Sequence, residues 1–418
     1  MSLAPWAWEL AGSLLVEPSG DPPDRVPLPT LLEAMAAAQA SGGSEGFTEL
    51  QSLASALLER GVEPFERELI RGQADAMRQR LVGDTVTYVV NRNLNVSNHC
   101  TKHCSFCAFR RDPGDSGAYW LERNELMRRA AEAQAAGATE LCIQGGLNAA
   151  ATLNGSLTAY AEQLLMDLRR AAPGIHLHAF SPQELLFFAE GDGLPLAAVI
   201  QRLQGAGLGS VPGTAAEVLT ERVRRVLCPE KLSARAWCAV VLEVHSAGLA
   251  STATLMAGHI EAPADRAAHL LTLHGLQHHA QQQGLLGFSE FVLLPFVGLS
   301  APAPLRQRVG RDQPDLEAML LLTAQARLVL GPAFVNHQPS WVKLTLAGAT
   351  EALRWGCNDL GGTLMEEHIT TMAGAQGGTN QSPQALEAAA RSLGRSVRQR
   401  TTLYAPLAES VCSQEVPV

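Results

Sequence analysis

Apolar residues recur at helical spacing over Leu31–Ala40, Glu49–Arg60 and Pro64–Leu81, with Gly61 and Gly83 as stops, so the pattern predicts helices there. Residues 1–28 are rich in Pro, Gly, Ser and Asp and keep neither period, which predicts a loose extension. From Thr85 the pattern changes to short β-rich runs alternating with longer helical ones. Strands are predicted at Thr87–Asn95, Glu140–Gln144, Ile175–Phe180, Leu208–Val211, Ser251–Met256, Ser289–Pro295, Phe334–His337 and Asn358–Gly361. Helices follow at Asn124–Ala136, Leu157–Ala172, Lys231–Ala247, Ala264–Gln283, Leu316–Leu330, Trp341–Trp355 and Pro383–Gln399. One more opens at Ser181-Pro182, a capping residue and a proline at the first helical position. Such repeats over residues 85–400 predict an α/β fold, a closed (β/α)8 barrel. Residues 29–84 would form an N-terminal helical cap and 401–418 a C-terminal tail.

Composition narrows the function classes. The chain has 418 residues and a net charge of −9, with no lysine- or arginine-rich block, so the electrostatic footprint of a nucleic-acid binder is missing. No basic start leads into an apolar run, and no apolar stretch of about 18 residues passes without a charge, so no membrane partner is expected and a soluble cytoplasmic protein is.

The loop after the first predicted strand holds Cys100, Cys104 and Cys107 in the spacing C-x3-C-x2-C. Thiolates so placed can turn toward one centre, and soft sulfur suits zinc or an iron–sulfur cluster. The set is one ligand short of a closed site, which leaves a metal position for a substrate or cofactor. A zinc-stabilised binding module is the non-enzymatic alternative, but His99 or His103 would have to fold back sharply beside the cysteines to complete its tetrahedron. Cys142, Cys228, Cys238, Cys357 and Cys412 stand singly in apolar surroundings and read as reduced, buried thiols.

Other polar residues cluster at predicted strand ends, where a barrel of this kind carries its chemistry. Gln144-Gly145-Gly146 ends the second strand, His178 and Ser181 the third, and Pro212-Gly213-Thr214 the fourth; His259 and Glu261 follow the fifth. Asn336, Gln338 and Ser340 end the seventh, and Gly361-Gly362-Thr363 the eighth. The glycine pair is either a tight turn or a close backbone approach to a ligand. His178 and His259 are expected in a polar pocket. Glu290, on an apolar strand, is expected to face a polar cavity or to pair with Arg92 or Lys343. His269, His274, His278 and His279 are expected on a solvated helix face.

With Phe106 just before its last cysteine, the triplet resembles the signature of radical S-adenosylmethionine (SAM) enzymes. The resemblance implies that Cys100, Cys104 and Cys107 hold three irons of a [4Fe-4S] cluster and that SAM chelates the fourth. It also implies that Phe106 packs near the adenine and that Gly145-Gly146 receives the SAM amino group; Gln144 and Ser181 are grouped with them as cofactor contacts. Longer motifs narrow the match: Thr87-Tyr-Val-Val-Asn-Arg-Asn-Leu-Asn, Cys107-Ala-Phe-Arg-Arg, His176-Leu-His-Ala-Phe-Ser-Pro-Gln-Glu, Gln338-Pro-Ser-Trp-Val-Lys-Leu and Asp359-Leu-Gly-Gly-Thr-Leu-Met-Glu-Glu-His-Ile. Over residues 64–400 these resemble the tyrosine-using FO synthase family, FO being a deazaflavin chromophore. The implied reaction breaks the Cα–Cβ bond of L-tyrosine and joins the 4-hydroxybenzyl fragment to 5-amino-6-(D-ribitylamino)uracil. The implied partners are a flavodoxin or ferredoxin as electron donor and the other FO synthase subunit. His178, Glu290 and Gln338 are the expected substrate contacts. Aminofutalosine synthase and dehypoxanthine futalosine cyclase share much of this framework and are the enzymatic alternatives.

Overall fold

Every strand pairing in the main sheet is parallel. The computed structural model describes residues 2–18, 26–41 and 43–407, and among these ten strands form. They are β1 (Val86–Val89), β2 (Asn91–Asn95), β3 (Glu140–Gln144), β4 (His176–Ala179), β5 (Leu208–Val211), β6 (Ala250–Ala257), β7 (Phe288–Pro295), β8 (His337–Pro339), β9 (Asp359–Gly362) and β10 (Val397–Gln399). Strands β2 to β8 lie in sequence order in one seven-stranded sheet, with crossover helices between them. The eighth place is taken by β9. Asn358 N–H donates to His337 O at 3.1 Å on the β8 side, and β9 pairs in parallel with β1, so the curled sheet returns to its start. The architecture is the TIM-type barrel that the alternation predicts.

The period of two decides what faces where. Leu94, Leu141, Ile143 and Leu177 are buried against the outer helices. Their neighbours Asn93, Asn95, Cys142, Gln144 and His178 line the interior cavity.

Several predicted elements differ from the structure. The single strand Thr87–Asn95 is two, because the chain steps at Val90 from a small sheet (β10-β1-β9) into the large one. The predicted strand Phe334–His337 starts later, at His337, because Phe334 closes a turn and packs against Phe288 at 5.6 Å between ring centroids. The last helix stops at Ser392; Gly394, with φ 72°, turns the chain, and Val397–Gln399 becomes β10 alongside β1. The tail predicted from residue 401 begins later, because Thr402 and Tyr404 are built into the barrel; residues 408–418, with Cys412, lie outside the described residues.

The extension predicted for residues 1–28 contains a helix, Pro5–Leu14. Ala7 and Ala11 are small enough to let it press onto the helix Ala234–Ser246. There Ala4 N–H donates to Glu243 Oε1 at 2.8 Å and the Arg235 guanidinium stacks 4.4 Å from the Trp8 ring. Two of the four histidines expected on a solvated face are not there. His269 is fully buried and accepts Leu219 N–H at 3.0 Å through Nδ1, and His274 stacks on Phe47. Among the described residues one helical stretch, Leu316–Ala333, is long and apolar enough to cross a membrane. It is 67% buried, as a core helix is.

That stretch carries Arg327, fully buried with no carboxylate beside it. Its guanidinium donates to Gly356 O at 2.8 Å, Phe334 O at 3.0 Å, Val335 O at 2.9 Å and Asn358 Oδ1 at 2.9 Å. It thereby pins the turns that lead into β8 and β9, the last two strands of the ring. Replacing Arg327 with Met leaves those acceptors unanswered, and a loss of about 3 kcal/mol or more is expected by denaturant titration. A loss below about 1 kcal/mol would mean that the turns hold without it.

Candidate active site

The interior opens into a cavity of about 410 Å³ at the carboxyl ends of the strands, within the size range of a small-molecule site. Cys100, Cys104 and Cys107 all line it as free thiols, carried by the loop between β2 and the helix Arg123–Ala135. Backbone bonds hold that loop at several points: Cys100 N–H to Arg111 O at 3.2 Å, Thr101 N–H to Leu147 O at 3.1 Å and Ser105 N–H to Leu227 O at 2.9 Å. Burial pushes the Cys104 thiol up to about 12, against the pull of Lys231.

Gly145 and Gly146 sit directly against this loop. A Cβ on Gly146 would lie 2.1 Å from His99 O, so only glycine permits the contact. Both N–H groups are engaged inside the protein, Gly145 with Glu184 Oε1 at 3.2 Å and Gly146 with Ser97 O at 2.7 Å. No donor from the described residues reaches their carbonyl oxygens, which remain free to accept from a ligand ammonium. Ser181 caps the helix Pro182–Asp192, exchanging bonds with Glu184, and burial pushes that carboxyl up to about 7.

Phe106 lines the cavity with the Lys231 ammonium 5.2 Å from its ring centre, and Lys231 pairs with Glu217 at 2.6 Å. His178 lines the wall, its Nδ1 2.7 Å from Ser210 Oγ; burial draws its pKa down to about 4, so the ring is neutral at neutral pH. Gln338 extends over Gly361, where a Cβ would come within 2.5 Å of its amide nitrogen. Glu290 lies at the floor. It faces the polar cavity, the first of the two expected settings, and its base is Arg400, at 3.1 Å with the Tyr404 hydroxyl on the same oxygen, in place of Arg92 or Lys343. Arg92 instead bonds Glu132 and Glu366. Burial and the negative charge of Asp359 hold the Glu290 carboxyl above the usual range, because Arg400 is mainly bound by Asp359 through both carboxylate oxygens.

His259 does not belong to the pocket. Its side chain is closed off from solvent and bonded to Met256 O and Glu261, which makes it a structural brace behind β6. Asn336 likewise ties Ser289 to Asn358. Sequence reasoning missed Asn93, Asn95, Glu140, Glu217, Lys231 and Arg400 as cavity residues. The alternation Asn91-Arg-Asn-Leu-Asn carried a signal for the first two; Arg400 lay past the last predicted element.

The site accommodates a cluster better than a single ion. Among the described residues no three His, Cys, Asp or Glu side chains are gathered tightly enough for one metal ion. A cluster does not require that, since each thiolate takes its own iron. His103 turns to Asp112 and Glu230 at 3.6 and 3.5 Å. Cys228 comes near Cys104 but is buried in the core, and Cys142 sits lower on the wall under the Gln144 amide. Asn93 Oδ1 and Asn95 Oδ1 are buried on the cavity wall with no protein partner, as groups awaiting a ligand are.

Fold and lip together define a radical SAM barrel. The Radical SAM superfamily model matches residues 94–273. The barrel resembles the FeFe-hydrogenase maturase HydG from Carboxydothermus hydrogenoformans, with TM-score 0.64 and 14% identity over 96% of this chain and 84% of that one. It also resembles methylornithine synthase, with TM-score 0.56 and 13% identity over 88% of this chain and 96% of that one. In sequence the chain is 57% identical to the 5-amino-6-(D-ribitylamino)uracil--L-tyrosine 4-hydroxyphenyl transferase of a Cyanothece species, over 82% of this chain and 90% of that one. It is 53% identical to the transferase of the same name from a Synechocystis species, over 90% and 95%. The chain belongs to this transferase family within the radical SAM superfamily. Membership implies a 4Fe-4S cluster and SAM.

Gly146→Ala should fold, because the strand beneath it is untouched, yet displace the cysteine loop by the length of the overlap. After anaerobic reconstitution its iron content and thiolate-to-iron absorbance should fall to less than about half of the native values. Native-like loading would show that the contact is dispensable.

Proposed function

We propose that this chain transfers the 4-hydroxybenzyl group of L-tyrosine to 5-amino-6-(D-ribitylamino)uracil, breaking the tyrosine Cα–Cβ bond, as a step in making the deazaflavin FO. The observation that carries the reading is identity of 53–57% with transferases of that name across most of the chain, on a barrel whose thiols stand at the mouth of a polar cavity.

In this reading Cys100, Cys104 and Cys107 bind the cluster, and the free carbonyls of Gly145-Gly146 take the amino group of SAM. Gln144, Ser181 and Phe106 line the same side. When bound, the two cofactors would supply one-electron chemistry able to take a hydrogen atom from a substrate. The protein's part is placement and exclusion. Apolar side chains of β6 and β7, Met256, Val292 and Leu294, cover part of the wall and keep water from a reactive centre. Neutral His178, the Gln338 amide and the free oxygens of Asn93 and Asn95 offer hydrogen bonds to a hydroxylated, amide-rich substrate. Glu290, its carboxyl held above the usual range by burial, adds a further polar group to the wall. A flavodoxin- or ferredoxin-type donor would supply the electron, a second FO synthase subunit would close the ring, and the setting would be the cytoplasm.

Reconstituted protein supplied with L-tyrosine, the diaminouracil, SAM and a reductant should yield the hydroxybenzylated uracil by mass spectrometry; alanine at any of the three cysteines should abolish it. Turnover of futalosine-type substrates in place of tyrosine would transfer the protein to a menaquinone-type reaction.

A further inference from the structure

Most basic groups around the cavity already have an acid. Arg400 holds Asp359 and Glu290, Lys231 holds Glu217, and Arg110 holds Asp112 at 2.5 Å. Lys102 stands on the outer lip among the cysteines. Lys343 differs: it lines the cavity from the first turn above β8 with no carboxylate within ion-pair distance. The nearby acids are engaged elsewhere. Glu367 accepts Thr370 N–H at 2.7 Å and Thr371 N–H at 3.2 Å, and Glu217 is bonded to Lys231.

Lys343 is also held in place. Trp341, 2% exposed, donates from its indole to Gly362 O at 2.9 Å, and Lys343 N–H donates to Ser340 O at 3.1 Å, so the turn is anchored to β9 and cannot swing out to water. Enclosure draws the ammonium's pKa down to about 8, an effect that the negative charges of Glu367 and Glu217 only partly offset. An ammonium without an ion-pair partner, carried on an anchored turn and lining the same cavity as Gln338 and Ser340, is complementary to a small carboxylate.

We propose that Lys343 binds the α-carboxylate of the amino-acid substrate, fixing which end of that substrate lies toward β8. This rests on the transferase reading for the identity of the amino acid. An α-carboxylate is also present in SAM, so the test has to separate the two.

Native protein, Lys343→Met and Lys343→Arg would be reconstituted anaerobically and titrated calorimetrically with L-tyrosine, with tyramine, which lacks the carboxylate, and with SAM. Lys343→Met should bind L-tyrosine roughly 10- to 100-fold more weakly, with tyramine and SAM affinities unchanged. Lys343→Arg should restore most of the tyrosine affinity, which a merely structural role would not produce. Undiminished tyrosine binding by Lys343→Met, or weakened SAM binding in its place, would overturn the assignment. A native protein that binds tyrosine but never couples it to the uracil would overturn the transferase reading and leave the carboxylate contact standing.

Discussion

An inward-facing polar side chain on a buried parallel strand is unfavourable unless something answers it. This barrel nevertheless carries such residues down one wall after another: asparagines on β2, Glu140 and Gln144 on β3, His178 on β4 and Glu290 on β7. Part of the demand is met internally, by Arg400 at the floor and Ser210 beside His178. What remains open, the oxygens of Asn93 and Asn95 and the ammonium of Lys343, marks out the volume reserved for ligands. The outward halves of the same strands, Leu94, Leu141, Ile143 and Leu177, supply the apolar contact that stabilises so polar an interior.

The mouth follows a different rule, that of close backbone approach. The cysteine loop has little regular structure of its own and takes its shape from neighbours, with bonds to Leu147 and Leu227 and the contact between His99 and Gly146. The cysteine-bearing side of the cavity is therefore a single mechanical unit built from the loops after β2, β3 and β5. A change at a glycine that touches no metal can reach the thiols through one carbonyl.

The barrel and its lip were legible because both leave local marks: alternating periods for strands and helices, and three cysteines at tight spacing. What was not legible depended on partners distant in sequence. Nothing near Glu290 points to Arg400, more than a hundred residues later, any more than to Arg92 or Lys343. Helix Pro5–Leu14 was obscured by the Pro- and Gly-rich residues around it, although Pro5 at its first turn and Ala7 and Ala11 along one face were there to be read. His259 and His269 look alike as letters. Both follow β6 and both are spent inside the wall, on Met256 O and Glu261 for one and on Leu219 N–H for the other, whereas His178 on β4 meets the cavity.

The floor is made from the far end of the chain. Strand β10 inserts beside β1 with Arg398 opposite Thr87, and Arg400 immediately after it neutralises Asp359 and Glu290. During synthesis the cysteines and the whole wall emerge from the ribosome well before this plug exists, so two acidic groups wait without their cation in a vessel lacking its base. Such a late, long-range closure slows folding. It also makes a truncated product self-revealing, since a chain stopped short of residue 400 keeps its thiols but presents an open, charged core to the cell's proteases.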